Sequence, residues 1–268
     1  MGRIGKIFGD GNNPAFIGFA VAGDPDKATS VMIANALIAG GTDILELGVP
    51  FSDPVADGPT IQKADERALS AGTTPSVVLE IVREIRRESD IPIVFLTYYN
   101  IVYRRGVERF YQEAHDAGVD GILIADMPVE ESEEVCNVAR RYDIDPVFLI
   151  SLTTSDKRIT RIAAHARGYL YLVAALGVTG VRDRVSDEAI DLLKRVRRHT
   201  SLPLAIGFGI STPAQAQTCA QSGANGVIVG SAIVEIVERN LEDPDAMEME
   251  LKEYVTAMKN AITGHHPV

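Results

Sequence analysis

The amino-acid sequence predicts an α/β protein with a single domain, built as a closed (β/α)₈ barrel. Three observations support this fold class: eight apolar β-rich runs, helical periodicity between them, and a length of 268 residues. Barrels of this type need about 250 residues and commonly fold as one unit. We therefore expect one domain over residues 1–268, with a frayed tail at 264–268.

The eight runs are almost continuously hydrophobic, which is typical of strands buried on both faces of a parallel sheet. The segments between them have helical periodicity, as in Val129–Tyr142 and Asp187–His199. An open doubly wound sheet shares this alternation, so the pattern leaves it as an alternative, although eight strands favour closure. The predicted strands are Ala15–Ala20, Ile44–Gly48, Ile93–Thr97, Ile122–Ala125, Val147–Ile150, Tyr169–Val173, Leu204–Gly207 and Val227–Val229.

A recurring sequence pattern links helices to strands: a helix stops at glycine, a short turn follows, and a strand begins. It occurs around Gly40-Gly41, Gly118 and Gly223. The repetition indicates that βα units follow one another without a linker.

Composition and charge narrow the class of protein. With 26 Lys and Arg against 37 Asp and Glu, the net charge of −11 argues against nucleic acid or an anionic membrane as a partner. Cys136 and Cys219 are far apart, and neither lies in a CxxC motif or a Cys/His cluster, so we expect no disulfide and no metal site. No secretory or membrane-spanning segment is predicted, and we expect a cytoplasmic protein.

Glu46 is the first candidate for chemistry. Strand alternation places Ile44, Glu46 and Gly48 on one face and Leu45 and Leu47 on the other, which must face the helices. Glu46 therefore points into the barrel near the carboxyl end of its strand, where barrel enzymes place catalytic groups. A buried carboxylate needs a partner, a raised pKa or a function, and an ion-paired core residue remains the structural alternative.

The segment after this strand is long, contains several Pro and Gly residues, and carries two more carboxylates, Asp53 and Asp57. It is typical of an active-site loop above the barrel. Asp before Pro or Gly often forms a turn or a cap instead. That alternative stays open for Asp53, whereas we expect Asp57 to be functional.

Residues 45–62, LELGVPFSDPVADGPTIQ, resemble the signature of the tryptophan synthase alpha family, and the similarity extends over essentially the whole chain. Val21, where Thr is expected, and Ser151-Leu152, where Pro is expected, depart from the family pattern without removing a catalytic group. Further similar segments are Phe19, Gly23-Asp24-Pro25, Tyr98-Tyr99-Asn100, residues 125–131, residues 168–171, residues 177–180, residues 207–210 and residues 230–234.

The resemblance implies a lyase of tryptophan biosynthesis that splits indole-3-glycerol phosphate into indole and glyceraldehyde 3-phosphate by a retro-aldol reaction. It further implies that Glu46 transfers the protons and that Asp57 accepts a hydrogen bond from the indole N–H. Two such carboxyl groups in unlike environments can separate the acid and base roles. Tyr171 resembles a family tyrosine that packs on the indole, and its alternative is a barrel tyrosine with a satisfied hydroxyl.

Two sets of residues are predicted to bind substrate. The loops after the last three strands, with a helix N-terminus, offer backbone donors to a phosphate, while Arg182 and Arg184 are more simply solvated. The loops at 52–60 and 177–184 are expected to close over substrate. The phosphate residues are Thr179, Gly180, Gly207, Phe208, Gly209, Gly230 and Ser231. An apolar slot for indole is predicted from Phe19, Ile61, Leu96, Leu123, Phe208 and Ile228, any of which could be plain core.

The resemblance implies a beta subunit as partner in an α2β2 complex, with Asp53-Pro54 and Met127-Pro128 near the interface. Pyridoxal phosphate is expected only in that subunit, and this chain is expected to hold neither cofactor nor metal. Other readings are a different phosphate-binding barrel, such as an isomerase or indole-glycerol phosphate synthase, and a non-catalytic regulatory subunit. A stand-alone indole-releasing lyase also stays open.

Overall fold

The computed structural model describes residues 2–9, 13–173, 187–207 and 209–264. Eight parallel strands pair in chain order, and the eighth pairs with the first, which closes the barrel. The TIM-barrel prediction is therefore confirmed and the open sheet is excluded. The strands are β1 (Ala15–Val21), β2 (Ile44–Gly48), β3 (Ile93–Thr97), β4 (Gly121–Ile124), β5 (Asp145–Ser151), β6 (Leu170–Val173), β7 (Leu204–Gly207) and β8 (Gly226–Val229).

Helices cover the outside of the barrel and close one end of it. Within the described ranges they are α1 (Arg3–Gly9), α2 (Lys27–Gly40), α3 (Pro59–Ser70), α4 (Pro75–Arg86), α5 (Tyr99–Arg105), α6 (Val107–Ala117), α7 (Glu133–Arg141), α8 (Asp156–His165), α9 (Asp187–Arg197), α10 (Pro213–Gln221), α11 (Ser231–Arg239) and α12 (Pro244–Thr263). None of these helices is long and apolar enough to cross a membrane.

Predicted and observed elements differ mainly at their ends. The helix expected over Val129–Tyr142 divides into a 3₁₀ turn, Val129–Glu131, and α7, because the Ser132 hydroxyl donates to the Val129 carbonyl at 2.9 Å. Cys136 in α7 and Cys219 in α10 are buried free thiols on outer helices, as expected. Gly264 caps α12, whereas the rest of the predicted tail, 265–268, lies outside the described residues.

Glycine ends helices where the sequence predicts it. Gly41 (φ 107°) and Gly118 (φ 99°) follow α2 and α6 in the left-handed conformation that side chains disfavour. Gly41 N–H donates to the Ile38 carbonyl at 3.0 Å, and Asp43 N–H then donates to the Phe16 carbonyl of β1 at 2.9 Å. Each turn thus joins a helix directly to the next strand.

The interior of the barrel has a filled lower layer. Every strand, or the residue next to it, contributes one side chain to this layer, and Ile4 of α1 packs beneath them and closes the amino-terminal end. We call these eight residues the barrel floor: Ile17, Ile44, Val94, Leu123, Val147, Tyr169, Ala205 and Ile228. Apolar residues on the opposite faces of the strands, such as Leu45 and Leu47, pack against the helices. The predicted alternation in β2 is confirmed.

Candidate active site

A cavity of about 310 Å³ opens at the carboxyl end of the barrel, above the floor. Its volume is at the lower end of the roughly 300–1,000 Å³ that is typical of small-molecule sites. The lining residues are Phe19, Glu46, Ala56, Asp57, Gly58, Ile61, Leu96, Ala125, Leu149, Tyr171, Val173, Gly209, Gly230 and Ser231.

The cavity wall follows from the floor by strand geometry. Side chains two residues apart on a strand face the same way, so each floor residue has a successor one step nearer the carboxyl end. Glu46 follows Ile44 in this manner, Tyr171 follows Tyr169, and Ala125 follows Leu123. Ala125 and Gly230 line the cavity as small residues, whereas the floor beneath them holds the larger Leu123 and Ile228.

The structure places the predicted indole residues at two depths. Phe19, Ile61 and Leu96 line the cavity. Leu123 and Ile228 belong to the floor and are 0% and 2% exposed, beneath Ala125 and Gly230. Ala125, Leu149 and Val173 were missed by the sequence reasoning, although the two-residue step from Leu123, Val147 and Tyr171 could have found them.

Glu46 lies at the base of the cavity and is 1% exposed. Its pKa is raised to about 8 in total: burial is the largest cause, a hydrogen bond from Tyr169 acts in the opposite direction, and the nearby charge of Asp57 adds to the increase. In the described ranges no Lys or Arg forms an ion pair with Glu46. Within those ranges no cation supports the ion-paired core alternative, and a pKa raised to about 8 favours the protonated carboxyl group near neutral pH.

Tyr169 is a residue of this site that the sequence reasoning missed. Its hydroxyl donates to Oε1 of Glu46 across 3.5 Å from the floor, and the ring is fully buried beside Phe8. Tyr171 lines the cavity two residues further along the same face. A Cβ at Gly207 would lie 2.5 Å from the Tyr171 hydroxyl, so glycine at that position permits the tyrosine to stand there.

Asp57 reaches the cavity from the loop between β2 and α3. The Tyr98 hydroxyl donates to Oδ2 of Asp57 at 2.6 Å and accepts the Ala56 N–H at 3.1 Å. The Phe51 ring stacks on Tyr98 with centroids 5.0 Å apart. Tyr98, which the sequence reasoning did not single out, thus holds the loop at three points and aims the Asp57 carboxyl inward.

Substituting Phe for Tyr98 should move Asp57 without emptying the core. The ring and its stacking on Phe51 remain, but Asp57 loses a donor and Ala56 N–H loses an acceptor. We expect kcat/KM for the reaction proposed below to fall about 10- to 100-fold, since one such hydrogen bond to a charged group contributes about 1.5–3 kcal/mol and about 1.4 kcal/mol is tenfold in rate. Steady-state kinetics measures this, and the control is Tyr142→Phe, which loses a hydroxyl that donates to Glu108 outside the cavity lining.

The raised pKa of Glu46 makes a prediction about stability. Between its ordinary value of 4.5 and its folded value of about 8, the folded chain binds more protons at this group than the unfolded chain. The free energy of unfolding should therefore decrease as the pH rises through this range and level off above it. Glu46→Gln has no ionisable group at this position, so this loss is absent. Its free energy of unfolding minus that of wild type should therefore increase by up to about 1.4 kcal/mol per pH unit. Urea unfolding at several pH values measures the difference, and a constant difference would contradict the raised pKa.

A third carboxyl group lies behind the loop. Asp65, on α3, is 5% exposed, and burial, Asp57 and Asp24 raise its pKa to about 8, while a hydrogen bond from the Phe51 N–H lowers it. The neighbouring Asp24 is also buried but pairs with Arg67 through two contacts of 2.7 and 2.8 Å. Of these two buried aspartates, only Asp65 pairs with no cation among the residues that the structure describes.

The rim of the cavity next to β7 and β8 presents backbone rather than cations. Gly209 has a φ of 80°, Gly230 precedes α11, and Ser231 begins that helix. Gly209, Gly230 and Ser231 all line the cavity, and a helix N-terminus carries N–H groups suited to an anion. Thr179, Gly180, Phe208, Arg182 and Arg184 lie outside the described residues.

Two other features contribute no chemistry to the cavity. Across the described ranges, no three His, Cys, Asp or Glu side chains are grouped so as to hold a metal ion. A larger depression of about 670 Å³ lies around α1 at the opposite end of the barrel, where Arg3 pairs with Asp120 at 3.0 Å. The floor separates it from Glu46.

Comparisons with known proteins agree with this geometry. The family model described as tryptophan synthase alpha chain matches residues 8–263. The tryptophan synthase alpha chain of Methanoregula boonei is 67% identical over 261 residues, which are 97% of this chain and 98% of that one.

Solved structures give the same result. The alpha subunit of tryptophan synthase from Legionella pneumophila is 34% identical, with a TM-score of 0.91 over 98% of this chain and 99% of that one. A chain of the Pyrococcus furiosus α2β2 complex is 41% identical, with a TM-score of 0.87 over 92% and 98%. From this match over nearly its whole length, the chain belongs to the tryptophan synthase alpha chain family.

Proposed function

We propose that this chain performs the reaction known for its family, the cleavage of indole-3-glycerol phosphate to indole and glyceraldehyde 3-phosphate, with Glu46 and Asp57 as its catalytic residues. The observation that carries the proposal is a buried, proton-holding Glu46 that faces the loop carboxyl Asp57 across an apolar cavity. Two carboxyl groups in such unlike surroundings can divide the work of acid and anion.

In the first step Glu46 acts as an acid. Its carboxyl proton moves to C3 of the indole, the ring nitrogen becomes positively charged, and Glu46 becomes a carboxylate. The Asp57 carboxylate accepts a hydrogen bond from the charged N–H. This charge–charge contact is stronger in the intermediate than in the neutral substrate, which is the requirement for catalysis.

In the second step Glu46 acts as a base. Its carboxylate takes the proton from the hydroxyl on the carbon attached to C3, and the bond between that carbon and C3 breaks. The bond's electrons return to the ring and neutralise the nitrogen, while the oxygen becomes the aldehyde of glyceraldehyde 3-phosphate. Glu46 thus ends the reaction protonated, as it began. The Tyr169 hydroxyl can donate to the Glu46 carboxylate between the two steps and so stabilise that anion.

The cavity offers complementary ends to such a substrate. Phe19, Ile61 and Leu96 supply an apolar slot for the indole, and Tyr171 can pack on the ring beside Glu46. Gly230 and Ser231 at the start of α11 are proposed to hold the phosphate through N–H groups and the hydroxyl. Thr179, Gly180, Gly207, Phe208, Leu123 and Ile228 remain predictions as substrate-binding residues.

We propose a beta subunit as partner, because a chain similar to this one occurs in the Pyrococcus furiosus α2β2 complex, which is described as mutually activating. Val55 is 84% exposed beside Asp53-Pro54, and Tyr103 is 66% exposed on α5. Val55 lies in the loop that carries Asp57, and we propose that this exposed apolar side chain contacts the partner. The family has no cofactor of its own, and we place pyridoxal phosphate in the partner. A charged phosphate substrate is retained in the cytoplasm, where we expect the chain to act.

A non-catalytic regulatory subunit is the second candidate from a different class. It needs the slot and the phosphate rim but has no use for Glu46, whose burial without a cation costs stability. Indole-glycerol phosphate synthase is disfavoured by the match over residues 8–263 to a different family.

The test is indole release from indole-3-glycerol phosphate by the purified chain, with and without a beta subunit. We expect stoichiometric indole and glyceraldehyde 3-phosphate from the chain alone, at a rate that the partner increases. Indole-3-propanol phosphate, the substrate without its two hydroxyl groups, should bind without reacting. Binding of substrate with no indole release, even in the complex, would favour the regulatory role.

A further inference from the structure

We propose that Asp65 is a positioning residue, which anchors the Phe51 end of the loop that presents Asp57 to the substrate. The proposal rests on the function given above, in which Asp57 must be a carboxylate at the indole nitrogen. Asp65 itself does not line the cavity.

The position of Asp65 on α3 explains how it reaches the loop. Ile61, Ala64 and Ala68 are buried on the same helix, and Ile61 lines the cavity. Asp65 shares this buried stripe, since residues four and three apart lie on one helical face. Its carboxyl lies close enough to the backbone N–H of Phe51 for this N–H to lower the carboxyl pKa, and the ring of Phe51 stacks on Tyr98.

The loop is consequently held on two sides. Tyr98, which follows β3, forms hydrogen bonds with Asp57 and Ala56, and Asp65 on α3 lies beside the Phe51 N–H. Gln62, also on α3, donates to the Asp57 carbonyl at 2.8 Å. These contacts fix the backbone on both sides of the exposed turn at Asp53 and leave the Asp57 carboxyl directed at Glu46's cavity.

The charges around Asp65 keep it neutral. Asp57 faces it from the loop, Asp24 from the turn after β1, and the Tyr98 hydroxyl from the end of β3. Lys63 and Arg67, the two cations of α3, are paired with Glu238 and Asp24. A second anion beside Asp57 would oppose the negative charge that the reaction requires there, so a neutral acid that still accepts a hydrogen bond suits this position.

The enzyme's activity should therefore decrease at alkaline pH for two reasons, the loss of the Glu46 proton and the loss of the Asp65 proton. When Asp65 loses its proton, at a pKa of about 8, its charge disfavours the Asp57 carboxylate even though Phe51 stays bound. Asp65→Asn keeps an oxygen to accept the Phe51 N–H and cannot ionise. Asp65→Ala loses both properties. Glu66→Gln removes an exposed carboxylate from the neighbouring position of α3 and is the matched control.

The experiment compares kcat and KM of these chains for indole-3-glycerol phosphate from roughly pH 6 to pH 9, a range that spans the Asp65 pKa. We expect Asp65→Asn to stay within about 3-fold of wild type near neutrality and to exceed it at the alkaline end. For Asp65→Ala we expect kcat to fall about 10-fold or more, with a smaller change in KM, since a misplaced catalytic group costs rate. Glu66→Gln should follow wild type throughout.

Hydrogen exchange at the Phe51 amide is the readout that does not depend on activity. Protection should persist in Asp65→Asn and disappear in Asp65→Ala. Identical pH profiles for Asp65→Asn and wild type, or an Asp65→Ala chain with full kcat and a protected Phe51 amide, would overturn the proposal. No indole from wild type would overturn the proposed function instead, and the Phe51 exchange would still decide whether Asp65 anchors the loop.

Discussion

Glu46→Gln should reduce kcat for indole release by about 10²–10⁴-fold, because general acid–base transfer is worth that factor and an amide can neither give nor take the proton. The side chain keeps its shape, and Tyr169 keeps an acceptor for its hydroxyl. Affinity for indole-3-propanol phosphate should therefore change little, since the slot and the phosphate rim remain.

The measurement is single-turnover indole release together with titration of that non-reactive ligand. Glu66→Gln provides the matched control on an exposed glutamate. A Glu46→Gln chain with more than a tenth of wild-type kcat would show that the proton comes from another group. Loss of ligand affinity together with kcat would instead point to a collapsed cavity, which thermal unfolding would detect.

Asp57→Asn should reduce kcat by about 10²–10³-fold, the range seen when one preorganised electrostatic partner of a transition state is removed. The amide can still accept the indole N–H but offers no charge to the ring nitrogen when C3 is protonated. It also stays bonded to Tyr98, so the loop remains in place. The effect should fall on kcat more than on KM, because the substrate ring is neutral when it binds.

Asp116→Asn, altered at an exposed aspartate of α6, is the control for loss of one negative charge from this acidic chain. A purely structural role for Asp57 would raise KM and unfold the loop while leaving kcat within a few-fold. Comparing the changes in kcat and in KM between Asp57→Asn and Tyr98→Phe therefore separates the effect of the Asp57 charge from the effect of its position.

The sequence predicted the barrel and the direction of Glu46 because both depend on short-range periodicity. Strand alternation specifies which face a side chain takes but not how deep it lies, and this is why Leu123 and Ile228 were expected at the cavity although they form the floor. Depth depends on how neighbouring strands are staggered. That stagger is a property of the closed sheet and not of any one strand.

The supporting residues were harder to predict for a different reason. Tyr98 and Tyr169 look like core aromatics, and their hydroxyl partners, Asp57 and Glu46, are 41 and 123 residues away in sequence. Asp65 did leave a signal, since Ile61, Asp65 and Ala68 have the spacing of one buried helical stripe. A carboxylate on such a stripe contradicts the pattern, and a contradiction of this kind marks a functional position.

Floor residues and cavity residues lie two positions apart along a strand, so the placement of the catalytic side chains depends on the strand register. If β2 slipped by one residue against β1 and β3, Leu47 would enter the cavity and Glu46 would be driven into the apolar layer beneath the helices. A slip of two residues would keep every side chain on its face yet move Glu46 to the level of Gly48, against Phe19, and put Ile44 in its place. A barrel assembled out of register would thus be inert even if compact, and the specific activity of a purified sample measures how accurately its strands have paired.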